Sequence, residues 1–460
     1  AADGDFGSSL AFKIPNEKAE KWCENIDGRI FGFFENDWYD ESDRIKNIDK
    51  VNGILTLEHD RNFKAISGKR YYVYNIPYEI DSPGEYYIDR ATGVLYFYMP
   101  EECSDISISL FDNSFIDIRN ASYLQFENLS LECGRDSGLE IFNSNNIRIQ
   151  SCTISNMKSN GIRARQSQTI TVRGCDISNI GKYAVIVDGG NLYTLSASGN
   201  VVENNKIHAW GKEYKCYSVA VRASGVGAEI IHNKMFGAPH AAITMYGNDH
   251  YVGYNEIYDV LKETDDAGAI YIGKSWIQRG ITVANNYIHD IKSTCSEGNL
   301  HGVYFDDFFC GGTVTKNVFE DICGNYASAF KGGGRDTAVT NNIVIRGNAL
   351  YRGILLKYGY LQQYGSLDKY KEYLREIWES TEGYGLNSAQ YNKDVYSKYP
   401  HIGDYDENDL VNTIDFKYST MKNNFLYNVK CDRFWTHSGN YPQSETEAAS
   451  GWSFTDSYST

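Results

Sequence analysis

No apolar run in the 460 residues approaches the roughly 18–20 that a membrane helix requires, so no membrane span is expected. Basic residues are also in short supply: 44 Lys and Arg face 60 Asp and Glu, for a net charge of −16. Neutralising phosphate takes a positive surface, and a nucleic-acid partner is therefore not expected. The opening AADGDFGSS carries neither the charged nor the apolar stretch of a secretory leader. Ten cysteines include no CxxC pair and no Cys/His cluster at zinc spacing, which argues against a structural metal site; no metal and no cofactor are expected. The run GGGRD, ending at Arg335 and Asp336, lacks the GK[ST] close of a phosphate loop.

What the chain does have is repetition. The segments ENLSL, SCTIS, GCDIS, ENNKIH, HNKMFG, YNEIYD, NNYIHD, KNVFED and NNIVI set Asn128, Cys152, Cys175, Asn205, Asn233, Asn255, Asn286, Asn317 and Asn342 at equivalent points, 22 to 31 residues apart. A period in that range, carried by short alternating strands without an amphipathic helix, predicts a parallel β-helix, an all-β solenoid. Stacked Asn side chains at a corner can bond to the coils above and below.

A second ladder follows the first. Aligning its strands puts Ile162, Val185, Val219, Ile243, Ile270, Val303, Ala329 and Ile354 in one inward column, with Ala164, Val187, Val221, Met245, Ile272 and Phe305 two residues on. The intervening positions then face out: Arg163, Ile186, Ala220, Thr244, Tyr271, Tyr304 and Phe330, followed by Asp188, Arg222, Tyr246 and Asp306. That face turns aromatic and acidic around Tyr246, Tyr271, Tyr304 and Asp306.

Residues 1–105 do not fit the ladder and read as a β-rich accessory domain, with a hairpin of Tyr86–Asp89 and Val94–Met99. The solenoid is expected over 106–436. It is interrupted at about 360–415 by an insertion whose segment SLDKYKEYLREIWES predicts an amphipathic helix capped by Ser366. Residues 437–460 read as a loosely held Ser/Thr-rich tail.

Three segments on neighbouring coils could carry chemistry. GAPHAAITMYGNDH holds His240, Asp249 and His250; ETDDAGAIYIGKSWIQRG holds Asp265, Asp266, Tyr271, Lys274, Trp276 and Arg279; HGVYFDD holds His301, Tyr304, Asp306 and Asp307, followed a coil later by Lys331 and Arg335. Coils stack roughly 4.8 Å apart. Carboxylates on adjacent coils therefore fall at about 5–10 Å, which spans the distances used in glycoside hydrolysis. Clustered acids also bind hard cations, and an isolated Asp–Asp pair more often only ends a turn. The coincidence of two pairs on adjacent coils beside Tyr271, Tyr304 and Trp276 favours a site. Asp266 and Asp306 are the favoured pair, with Asp265 and Asp307 as rivals. Tyr246, Tyr271, Trp276 and Tyr304 are expected to form an open strip offering sugars their flat faces, with His240, His301, Lys274, Lys331 and Arg335 as further substrate contacts.

The series PHAAI, GNDH, YNEIYD, DDAGAIY, NNYIHDI, YFDD, GGGRD and NNI resembles bacterial right-handed parallel β-helix carbohydrate enzymes, most of all glycoside hydrolase family 141, over roughly residues 70–345. The resemblance implies hydrolysis of a plant cell-wall glycan, xylanase-like or fucosidase-like, by two aspartates matching one member each of Asp265/Asp266 and Asp306/Asp307. It also implies a polysaccharide or oligosaccharide partner and a secreted or cell-surface setting in a bacterium, with any leader removed. A uronate lyase or epimerase, using Lys274, Arg279, Lys331 and Arg335, and a glycan-binding solenoid without catalysis are the alternatives.

Overall fold

The computed structural model describes residues 10–24, 27–62, 64–103, 105–296, 298–332, 334–354, 364–380, 385–414, 417–436, 452–455 and 458–459. Two compact units divide the chain, 1–108 and 109–460. In the first, Ala11–Lys13, Ile54–Leu57, Glu41–Asp49, Arg29–Gly32 and Tyr71–Tyr74 form an antiparallel sheet in that order. The short helix Asn16–Trp22 contributes Ala19 and Trp22 to a core with Phe12, Ile30, Phe34, Leu55 and Leu57. Tyr86–Asp89 and Val94–Phe97 pair as an antiparallel hairpin.

The second unit is a right-handed parallel β-helix. Three sheets of 11 parallel strands run its length, and successive strands of the chain visit the three sheets in turn, so that each coil gives one strand to each. Isoleucines and valines at alternate positions stack into one continuous core along the axis. Within each coil the chain must bend sharply between the strands of two sheets, and it does so through left-handed residues: Asn204, His232, Tyr254, Asn285, Lys316, Asn341 and Asn423 all have φ between +53° and +59°.

The residue after each of these bends builds the asparagine ladder. Asn205, Asn233, Asn255, Asn286, Asn317 and Asn342 each donate from Nδ2 to Oδ1 of the next, at 2.9–3.0 Å, and the last reaches Asn424. Each Oδ1 also accepts the backbone N–H of the ladder asparagine below. Amides thus answer backbone groups that an apolar interior would leave bare. Cys175 joins the ladder by donating its N–H to Asn205 Oδ1 at 2.9 Å, and its own sulfur accepts from Cys152 N at 3.5 Å. Asn128 does not belong to it. Glu127 pairs with Gln150, so Asn128 falls at the left-handed bend beside Ser151 and is exposed.

The register of the site sheet differs from the aligned columns at three coils. Val221, not Val219, stands between Val185 and Ile243, so Arg222 faces out and Ala220 is buried. Phe330, not Ala329, continues the column of Val303; Phe330 is in the core and Lys331 faces out beside Tyr304. Tyr351, not Ile354, follows Phe330 in that column, and Arg352 follows Lys331. The side chain of Ile354 lies outside the described residues. The stretch expected to be a tail contributes two more strands, Trp452–Thr455 and Tyr458–Ser459, to two of the sheets.

Between Ala349–Ile354 and Ser419–Lys422 the insertion carries the helices Leu367–Glu379, Lys393–Tyr396 and Leu410–Ile414. Ser366 Oγ accepts the N–H of Lys369 and caps the first helix. That helix buries Tyr370, Leu374 and Trp378 against Trp276, Ile277 and Phe308 of the solenoid. No helix among the described residues is long and apolar enough to cross a membrane.

Candidate active site

Asp266 immediately precedes the strand Ala267–Gly273, and Asp306 ends the next strand of the sheet, Leu300–Asp306. Both carboxylates serve the same outward face. Asp266 Oδ1 accepts from Lys331 Nζ at 2.6 Å, Asn299 Nδ2 at 2.8 Å and the Tyr304 hydroxyl at 3.3 Å. Asp306 Oδ2 accepts from the Tyr271 hydroxyl at 2.8 Å, and its Oδ1 from the N–H of Asp307. The Tyr304 ring stands edge-on to that of Tyr271, 5.5 Å between centroids. Two neighbouring phenols therefore tie the carboxylates into one site, Tyr304 bonding Asp266 and Tyr271 bonding Asp306. Gly273, the strand partner of Asp306, keeps this geometry possible: a Cβ there would sit 2.6 Å from the Tyr271 hydroxyl.

The two acids are pushed apart in acidity. Burial, with the neighbouring Asp307 and Asp266 charges, raises Asp306 to about 7. Burial would raise Asp266 too, but the Lys331 ammonium beside it, then Arg352 and the Tyr304 hydroxyl, hold it below the ordinary carboxylate value. The Asp266 side chain is 42% exposed, and the Lys331 ammonium acts on it at 2.6 Å. Burial first, and then these carboxylates, push the Tyr217, Tyr271 and Tyr304 phenols above their usual value.

A groove of about 470 Å³ opens beside them, lined on the solenoid by Tyr217, Tyr246, Tyr271, Gly273 and Lys274. Its opposite wall is the insertion helix, through Tyr373, Glu376 and Ile377. The helix therefore packs on the flank and walls the groove at once. Lys274 bridges the two sides, 3.5 Å from Asp307 and 3.4 Å from the Tyr373 hydroxyl.

Other residues expected here have different surroundings. Trp276 is fully buried among Phe308, Trp378 and Tyr405 and offers no face to a ligand, which corrects its place in the aromatic strip. Tyr304 is 3% exposed and serves Asp266 through its hydroxyl, not its ring face. Arg335, 1% exposed, donates to Thr413 O and lies 3.3 Å from Asp336, binding the insertion rather than lining the groove. Arg279 pairs with Asp336 at 2.8 Å in the same interior. His301 is buried between Ser328 Oγ and Asn299 Oδ1 and orients Asn299 toward Asp266 instead of meeting substrate. His240 is 2% exposed, 5.0 Å from the Tyr217 ring, and burial lowers it to about 3, so it is neutral support beneath the groove. Asp249 pairs with Lys398 of the insertion, and His250 accepts the N–H of Ala228. Asp265 accepts the N–H groups of Asp266 and Asn299 and shapes the bend.

Arg352, Asn299, Tyr217 and Tyr373 complete the site without having been singled out in the sequence. Arg352 was within reach: SAFKGG and ALYRGI repeat the order aromatic, cation, glycine, and that match stacks Arg352 on Lys331. The only cluster of His, Cys and acids with metal-binding closeness among the described residues is Asp43, Glu58 and His59 in the first unit, away from these carboxylates in sequence.

Residues 102–221 match the family of right-handed β-helix regions. Among solved structures, a glycoside hydrolase is 14% identical with a TM-score of 0.58, covering 73% of each chain. The tailspike gp61 of Pseudomonas phage phi297 is 12% identical with a TM-score of 0.37, over 77% of this chain and 59% of its own. The Gp54 tailspike of Acinetobacter baumannii bacteriophage AP22, solved with a capsular saccharide, is 12% identical with a TM-score of 0.29, over 77% and 60%. No curated protein matches this chain. At these identities the likeness is one of fold.

Proposed function

We propose that the protein is a glycoside hydrolase acting outside the cell on a polysaccharide of plant cell-wall type, in the manner of glycoside hydrolase family 141. The observation that carries this reading is the opposed acidity of two carboxyls held by neighbouring phenols on one outward face. Asp306, raised to about 7, keeps its proton at mildly acidic pH and can give it to the leaving glycosidic oxygen. Asp266, ionised beside Lys331, either attacks the anomeric carbon or takes the proton from the water that does. Tyr246 and Tyr271 along the groove support sugar faces, and Tyr373 supplies a ring from the opposite wall.

The lyase alternative is less well supported. It needs cations free to neutralise a uronate at the reacting carbon, whereas Lys331 is committed to Asp266, and Arg279 and Arg335 to Asp336. Incubating Asp266→Asn and Asp306→Asn with xylan, fucosylated and pectic polysaccharides tests the assignment. Released reducing ends should fall at least a hundredfold in both variants while thermal unfolding stays as in the parent protein. Undiminished release from either variant defeats the pair, and a product absorbing as an unsaturated uronate makes the enzyme a lyase.

A further inference from the structure

A second groove of about 290 Å³ lies on the same outward face, on the coils preceding the carboxylates. Arg163, Arg165, Lys182 and Arg222 line it, against Asp188 in the lining and Glu140 beneath. In a chain of net charge −16 this is a local reversal of sign. Arg163 and Arg165 are fixed on the buried Glu140 at 2.6 and 2.9 Å. Lys182 and Arg222 differ: among the described residues neither has a carboxylate within 4.0 Å. Both are held by rings instead. Lys182 Nζ lies 4.5 Å from the Tyr214 ring, and the Arg222 guanidinium lies 4.9 Å from Tyr246 and 5.7 Å from Tyr183. Rings take the face of a guanidinium and leave its N–H edge for a planar anion.

We propose that this groove is an anion subsite, taking a carboxylate- or sulfate-bearing sugar of the same glycan chain that lies across Asp266 and Asp306. The inference rests on the glycan reading above and narrows its substrate to an acidic polysaccharide. Register supplies the geometry. Arg222 stacks in one column with Thr244, Tyr271 and Tyr304, three coils from the last, or about 14 Å along the axis. Tyr246, which backs Arg222, also lines the first groove, so the two surfaces meet at one ring. An extended pyranose chain running parallel to the axis advances about one sugar per coil. It would set a charged substituent at Arg222 a few sugars from the cleaved bond. The local positive charge also offsets the repulsion that an acidic polymer meets from an acidic protein.

Calorimetric titration of the full chain carrying Asp306→Asn tests this, with hexagalacturonate, its methyl ester and a sulfated galactan hexamer as probes. Adding Arg222→Gln should weaken the better anionic probe about tenfold or more, the loss expected when a charge-assisted hydrogen bond is removed. Arg222→Lys should recover part of it, added salt should weaken it, and the methyl ester should not distinguish Arg222→Gln from its parent. Preference between the two anionic hexamers tells carboxylate from sulfate. Equal affinity with and without Arg222→Gln, or binding of neither anionic probe, overturns the subsite. If Arg222→Gln does not fold, Lys182→Gln takes its place: a tenfold loss supports the subsite and an unchanged affinity overturns it. Cleavage of a probe by the Asp306→Asn protein counts separately: it removes the hydrolase assignment and leaves the affinity comparison to decide the subsite.

Discussion

Two clusters of the solenoid contain nearly the same kinds of residue and do opposite things. Around Tyr405, the insertion packs Trp276, Trp378, Arg279, Arg335 and Asp336 into a dry interior where the cations answer the acid directly. Beside it, Tyr304, Asp266, Asp306 and Lys331 cluster next to a groove that Tyr271 lines, and there one acid is paired and the other is not. Residue type does not distinguish the two. What marks the groove is a carboxyl without a cation of its own at a surface that a ligand can reach, an arrangement that costs stability and that a merely structural cluster has no reason to keep.

The largest effect should come from ending that imbalance. Asp306→Asn removes the transferable proton and is expected to lower turnover by about 10²–10⁴-fold with little change in the unfolding midpoint. Turnover on a polysaccharide and a thermal melt, measured on the same preparation, decide it. A large drop in midpoint would move Asp306 to the structural side of the comparison.

The insertion cluster should respond in the opposite sense. Trp276→Ala opens a cavity under the helix and should cost about 3–5 kcal/mol of stability, measured by denaturant unfolding. Arg279→Ala should cost less, about 1.5–3 kcal/mol, because it removes the shorter of two cation bonds to buried Asp336 and leaves Arg335 at 3.3 Å. Substrate affinity should suffer only as far as the wall carrying Tyr373 loosens; an intact fold with lost binding would return Trp276 to the groove. Ser366→Ala removes the cap of the same helix and should cost ~1 kcal/mol.

The ladder asparagines and alternating strands made the solenoid legible, because a repeat exposes its own register wherever the coils have equal length. The register slipped where they do not. At Tyr217–Arg222 and at Ser328–Lys331 the loops before the strand differ in length; a shift of two residues put Arg222 in the wrong outward column, and a shift of one turned Lys331 off the face it occupies. The Asp266 and Asp306 segments sat on adjacent coils of the sequence ladder, so their nearness could be read. The burial of Trp276 could not, since it depends on a helix roughly a hundred residues later folding back over it. Left-handed backbone at Asp266 and Asp307 adds nothing to the functional case, being the usual conformation at these bends.

The smallest effect is also the sharpest test of why the two clusters differ. Asp306 is raised by burial first and then by the charge of Asp307, whose carboxylate lies 3.5 Å from Lys274. Since Asp306 acts as an acid, activity is present while it holds its proton and is lost as pH rises through its value near 7. The acidic limb belongs to Asp266, whose lowered value keeps it ionised until well into the acid range. Asp307→Asn removes a neighbouring negative charge, makes ionisation of Asp306 easier, and should move only the alkaline limb of kcat/KM to lower pH, by a fraction of a unit to about one unit. The acidic limb should stay in place. An alkaline limb that does not move, or that moves upward, would mean that Asp307 does not set the acidity of the proton donor and that Asp306 is not the group titrating there.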